Sequence, residues 1–269
     1  MIRNFFTAFV LAAAFTACSS TDSRPDVQVT PGPHAPVAST AAPAAPADAV
    51  LEQVRRLAPD ADPGVLALAL EARACALRNG AARGTRLAVI DYSRPSTDKR
   101  LWVFDLERKA LLHTEHVAHG RGSGENFARS FSNRDGSHQT SLGLFTTAET
   151  YDGGNGYSLR MDGLEPGVND AARDRLIVMH GAPYVDPAQA LRQGRLGRSY
   201  GCPALRPQVA RAVIDTLKHD QLLFAYYPDD AWLAGSRWFG CSGRSARDIL
   251  AAARGDAAGA ASSQAVAAR

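Results

Sequence analysis

From Thr85 to Tyr227 the chain is cut into short apolar runs, each bounded by glycine, proline, asparagine or charged residues. "TRLAVIDY", "RLWVFDL", "LLHTEHVA" and "QLLFAYY" carry the β-branched and aromatic side chains that pack well on a pleated surface. Runs of this length read as strands, and Gly-Asn-Gly at 154–156 reads as a tight turn between two of them. Helical spacing flanks this region. "DAVLEQVRRLA" and "DPGVLALALEARACALRNG" precede it, with Asp62-Pro63 as a start signal and Asn79-Gly80 as a stop. "RPQVARAVIDTLKHD" sets Val209, Val213, Ile214 and Leu217 on one helical face, with Pro207 near its start. The expected class is mixed α+β, β-rich: a sheet or sandwich with flanking helices.

The rest of the chain is organised around that domain. Residues 1–18 combine Arg3 with a short apolar run ending in small residues, the pattern of an export signal. "FTACSS" resembles a bacterial lipoprotein signal in which Cys18 becomes lipidated after cleavage, with plain secretion as the alternative; Ser19 behind it fits outer-membrane sorting. Residues 19–47 are rich in Pro, Ala, Ser and Thr and hold few large apolar groups, so they read as a disordered tether. Residues 48–240 are expected to form the folded domain, with Trp232, Trp238 and Phe239 packing back on it, and 241–269 an Ala-rich tail. A net charge of +3 without a Lys/Arg block gives no nucleic-acid footprint.

The chemistry concentrates between Met179 and Leu205, "MHGAPYVDPAQALRQGRLGRSYGCPAL". His180 follows an apolar run, which places it at a strand end, where a sheet fixes a side chain's position. Cys202 sits in a turn made by Gly201 and Pro203. A thiol is a strong nucleophile as thiolate, so it needs a base or a cation beside it, and His180 is the base this stretch offers. Backbone N–H groups around Gly201 and Cys202 are candidates for an oxyanion hole. Ser199 either tunes the site by hydrogen bonding or forms the turn. Arg198 either binds a substrate carboxylate as a fork or holds the loop. A helix starting near Pro207 would add positive potential favouring a thiolate. The bland alternative is a buried structural thiol and a strand-end histidine.

The pattern "HGA-YV … GRLGRS-GCPAL" resembles the murein L,D-transpeptidase catalytic domain family, in the branch that carries GRS-x-GCPA where other members have SHGCHN. The likeness extends through "IDYSRPSTDKRLWVFDL", "AHGRGSGENFARSFSN", "SHQTSLGLF" and "YDGGNGYSLRMDGLEPGVNDAARDRLIVMHGA", roughly residues 84–228. Eighteen residues separate His180 from Ser199, and Tyr200 stands where the usual motif has a second histidine. The resemblance implies an L,D-transpeptidase-like fold and a cysteine acyltransferase acting on peptidoglycan stem peptides in the bacterial envelope. Cys202 is then the nucleophile and His180 the base, with Gly181, Arg198, Ser199, Tyr200 and Gly201 in support. His119, Ser141 and Gly143 belong to the substrate cleft. No metal or organic cofactor is required. Alternatives are an L,D-carboxypeptidase or murein hydrolase on the same site, a non-catalytic murein-binding lipoprotein, and an unrelated cysteine protease.

With Cys18 assigned to lipid and Cys202 to catalysis, Cys75 and Cys241 are the available disulfide pair in an oxidising compartment. The glycine-rich "HGRGSG" lacks a Gly-Lys-Ser/Thr ending, which argues against phosphate binding. His113, His116 and His119, three apart, would alternate faces on a strand, which argues against a shared metal.

Overall fold

The computed structural model describes residues 46–255. The expected signal segment with Cys18, nearly all of the expected tether, and residues 256–269 lie outside the described residues. The strands are β1 (Arg86–Asp91), β2 (Leu101–Asp105), β3 (Ala110–Glu115), β4 (Gly143–Gly153), β5 (Gly156–Gly163), β6 (Val178–Gly181), β7 (Ala204–Leu205) and β8 (Leu222–Tyr226). They form one sheet in the order β3-β2-β1-β8-β4-β5-β6-β7. β1 and β8 pair in parallel at its centre and are almost wholly buried. Strands covered on both faces read as continuous apolar runs, which is how "LAVID" and "LLFAY" stand in the sequence.

Alternation within those runs sorts side chains between two cores. Leu87, Val89, Trp102, Phe104, Leu222 and Phe224 enter one core. Ala88, Ile90, Leu101, Val103, Leu223 and Ala225 enter the other. The first core is closed by α1 (Pro46–Leu57), α2 (Pro63–Arg78) and Trp232 and Leu233 of α5 (Asp230–Gly235). α2 is apolar nearly all round, as its position requires, and Asp62 caps it by accepting from Gly64 and Val65 N–H. The second core is closed by α4 (Pro207–Leu217), whose Ala210, Val213, Ile214 and Leu217 are buried. Each large apolar side chain so buried is worth about 1.5–3 kcal/mol.

Two differences from the sequence expectation concern segments the composition hid. The tail expected from residue 241 begins inside the folded body. Cys241 is disulfide-bonded to Cys75, 166 residues away, and residues 246–255 form a helix, α6. α6 buries Ala246, Ile249, Leu250 and Ala253, a helical face made of two alanines flanking Ile-Leu. Arg254 then pairs with Asp62 at 3.1 Å, tying α6 to the start of α2. The second difference is α3 (Pro187–Gln193), a short helix in the stretch between His180 and Cys202 that reads in the sequence as a linker. Asp186 caps it and left-handed Gly194 ends it, so its punctuation was visible in "DPAQALRQG".

Candidate active site

β6 and β7 run side by side in parallel, with His180 opposite Ala204 and Gly181 opposite Leu205. That register brings Cys202 level with Val178, two residues before His180 on the same face. Val178 N–H donates to Cys202 Sγ at 3.4 Å, and the thiol donates to the Leu176 carbonyl at 3.6 Å. Cys202 is 8% exposed and is the free cysteine of the described residues. His180 is also buried, and its Nδ1 lies 3.0 Å from the Gly181 carbonyl. A carbonyl only accepts, so Nδ1 carries the proton and Nε2 of the neutral ring keeps a lone pair. Nε2 makes no hydrogen bond among the described residues, to Cys202 or to any other group.

The turn that carries Cys202 is held from several sides. Ser199 Oγ donates to the Cys202 carbonyl at 2.7 Å and accepts from Gly201 N–H at 3.1 Å. Thr140 Oγ1 donates to the Gly201 carbonyl at 3.1 Å. Gly201 itself has φ +127°, and a Cβ there would lie 2.7 Å from Ile177 and 2.9 Å from the Gln139 carbonyl. No other residue fits that position without moving the turn. One expectation is corrected here: Gly201 N–H is spent on Ser199, so it is no free oxyanion donor. Cys202 N–H, at the base of the thiol, has no other protein partner among the described residues.

The charges around the thiol also differ from expectation. Arg198 Nη1 bonds to the Gly124 carbonyl at 2.9 Å and to Glu125 at 2.7 Å, so it holds the loop. Residues 203–206, which include strand β7, separate Cys202 from the first turn of α4, beyond the short reach of a helix dipole. Arg206 at that helix start is committed to Glu115 through two short bonds. The cation that acts on Cys202 is Arg175, which sequence reasoning missed. Its guanidinium donates to the Ser132 and Gln139 carbonyls and to the Ser137 and Ser141 hydroxyls. None of those hydrogen-bond acceptors is a carboxylate; the acidic charge that acts on Arg175 is that of Asp135. Leu176, whose carbonyl meets the thiol, follows it at φ +55° and is 64% exposed.

Burial pushes the Cys202 thiol above its ordinary value, with Val178 N–H and Arg175 pulling it partly back. Burial pushes His180 down, and the Gly181 carbonyl opposes that. Both directions favour a neutral thiol beside a neutral imidazole over a standing ion pair.

The residues expected in the cleft divide. Ser141 is buried under the site, between Arg175 and the Ser132 carbonyl. His119 is fully buried behind the turn: Nδ1 accepts from Arg100 at 2.8 Å and Nε2 faces the Gly124 carbonyl at 3.4 Å. Desolvation first, then Arg100, holds it at about 3, so it is a support and not a cleft residue. Gly143 is likewise corrected to a core position. Its φ is +100°, and a Cβ would meet the buried Glu165 carboxylate at 2.3 Å. Glu165 accepts from Leu144 N–H and from Trp232 Nε1. Tyr200 is 63% exposed on the rim. His113 and His116 bond to Thr216 and to the Thr97 carbonyl respectively, so the three spaced histidines point to separate partners.

A family model for the L,D-transpeptidase catalytic domain matches residues 57–226, well over half of the chain and the whole of the sheet. The chain belongs to that family. Among solved structures, the L,D-transpeptidase from Mycobacterium smegmatis is similar at 14% identity and TM-score 0.32, over 53% of this chain and 59% of that one. An L,D-transpeptidase from Mycobacterium tuberculosis H37Rv is similar at 14% identity and TM-score 0.34, over 53% and 58%. Bd1075 of Bdellovibrio bacteriovorus is similar at 15% identity and TM-score 0.34, over 55% and 49%. This L,D-transpeptidase domain thus spans less than two thirds of the length of the solved proteins it matches. No curated protein matches the chain.

Proposed function

We propose that this L,D-transpeptidase-family chain cross-links peptidoglycan through a thioester on Cys202. The observation that carries the reading is a free, hydrogen-bonded thiol in the turn leading into β7 and a histidine on β6, the strand that pairs with β7, one of whose nitrogens is held while the other is open. The donor is a stem tetrapeptide. As Cys202 Sγ attacks the diamino acid's carbonyl carbon, His180 Nε2 takes the thiol proton. Cys202 N–H faces the developing oxyanion. The carbon–nitrogen bond to the terminal D-alanine then breaks, and the imidazolium gives its proton to the departing amine. An amine of a second stem attacks the thioester, a new amide forms, and the proton returns through His180 to the sulfur.

Arg175 stabilises the thiolate that appears during each transfer. A neutral resting pair suits an oxidising envelope, because a thiol kept protonated at rest is less open to oxidation. The domain reaches its polymer from a lipid anchor at Cys18 through the tether 19–47, in the bacterial periplasm at the outer membrane. Labelled palmitate on the wild-type chain and none on Cys18→Ala is the expected result for that anchor.

Turnover of purified disaccharide-tetrapeptide, with products weighed by mass spectrometry, tests the activity. Cross-linked dimer plus free D-alanine, absent with Cys202→Ala, is expected. Tripeptide without dimer would reassign the site to an L,D-carboxypeptidase. Murein binding that survives Cys202→Ala, with no turnover by the wild type, would leave a binding lipoprotein.

A further inference from the structure

Tyr200, the departure from the usual motif, is not absorbed by the chemistry above. It stands on the exposed rim two residues before the nucleophile, in a cluster with Arg121 and His138. The Arg121 guanidinium lies 4.5 Å over the Tyr200 ring, and the His138 ring lies 4.5 Å from the same ring. Arg121 Nε and Nη2 both donate to His138 Nδ1, at 3.2 and 3.0 Å. We propose that Arg121, His138 and Tyr200 form a carboxylate-binding subsite at the mouth of the Cys202 site. Its ligand, a carboxylate of the stem peptide, rests on the transpeptidase reading.

Three observations support it. The cluster offers donors. With Nδ1 accepting, the His138 ring proton is on Nε2, and Arg121 keeps Nη1 and part of Nη2 free, a fork that matches a carboxylate. The charge is uncompensated: among the described residues no acidic group pairs with Arg121. Glu125, the acidic side chain of the same loop, is taken by Arg195 at 2.8 Å and Arg198 at 2.7 Å. The cluster is also set in place before any ligand arrives. Arg121 N–H donates to the Ser199 carbonyl at 2.8 Å, and Gly122 N–H to the His138 carbonyl at 2.9 Å. His138 is held at φ +54°, a conformation that costs energy in a non-glycine residue and persists where the surroundings enforce it. Three segments are thereby fixed around one guanidinium, and little ordering is left for binding to bear. The ring face of Tyr200 is what makes this possible, and a second histidine there would put another cation beside Arg121 when protonated.

Two carboxylates of the donor fit this chemistry: that of the terminal D-alanine, next to the bond under attack, and that of the diamino acid side chain. Binding is measured by calorimetry on the full chain carrying Cys202→Ala. The probes are stem tetrapeptide, its C-terminal amide, and the peptide amidated at the diamino acid. The tetrapeptide is expected to bind better than one of the amides, which identifies the carboxylate. Adding Arg121→Ala should weaken the tetrapeptide about tenfold and leave that amide unchanged, with Arg121→Lys between. Thermal melts confirm that each variant is folded. Equal loss for acid and amide, no loss, or no binding of the tetrapeptide would overturn the subsite. If Arg121-dependent binding holds while the wild type fails to turn the peptide over, the transpeptidase reading falls and the subsite stands.

Discussion

Two buried histidines lie within the same corner of the domain, and they differ in one respect. His119 has both ring nitrogens engaged, one by Arg100 and one by the Gly124 carbonyl, and it is held at about 3. His180 has one nitrogen engaged by the Gly181 carbonyl and the other open, on the strand that pairs with β7, which begins two residues past the thiol. Burial is common to both. What separates the two is the open nitrogen, which the proposed mechanism uses at His180 and which His119 lacks. Arg100 explains the difference: a fully buried guanidinium needs acceptors, and His119 is one of them, with the Val117 and Arg94 carbonyls.

Substitution breaks the comparison most strongly at His180. His180→Gln should lower turnover by about 10²–10⁴-fold with the melting temperature little changed, since it removes the base and leaves the strand. Comparable loss of turnover and of stability would make His180 a core residue like His119. The reverse pattern is expected at His119. His119→Ala should cost about 1–3 kcal/mol in denaturant unfolding, because Arg100 Nη2 loses one of its two buried acceptors and keeps the Val117 carbonyl. The folded fraction should keep most of its turnover.

Arg175 sharpens the contrast from the side of the thiol. Arg175→Gln should move the pH midpoint of iodoacetamide alkylation at the Cys202 peptide upward, while Arg175→Lys should hold it near the wild-type value. Equal shifts in both variants would mean that the hydrogen bonds matter and the charge does not.

Acid titration tests the same pair in two windows. His180 must be neutral to accept a proton and lies below the ordinary histidine value of 6.5, so the acid limb of turnover should fall below that pH. His119 is neutral in the folded state until about 3, whereas the unfolded ring takes its proton near 6.5. Stability should therefore decline as pH falls from 6.5 toward 3, and the decline should shrink in His119→Ala.

Much of this was legible in the residues themselves. The strands, the caps of α2 and the face of α4 follow from periodicity and punctuation, as Asp62 and Pro207 illustrate. Cys202 and His180 stood out through the words around them, HGA and GRS-x-GCPA, which resemble the family's motif; a turn cysteine and a strand-end histidine alone read as structural. Arg175 was not legible, because its importance comes from four acceptors on a distant segment, 132–141, and no local spacing encodes that. Gly143 resembled a cleft residue for the converse reason: Glu165, the partner that fixes its backbone, is twenty-two positions away. α6 was hidden by composition, since Ile249 and Leu250 stand alone in a stretch rich in Ala, Ser, Gly and Arg.

The proposed reaction stands on a thioester at Cys202 formed with the help of an open His180. Wild-type protein is mixed with disaccharide-tetrapeptide without acceptor, quenched in acid within the first turnover, and its mass is read intact and after digestion. An adduct of the donor minus D-alanine on the Cys202 peptide, much slower to form in His180→Gln and absent in Cys202→Ala, is predicted. D-alanine release with no adduct on that peptide at any quench time, or an adduct forming equally fast in His180→Gln, would contradict it.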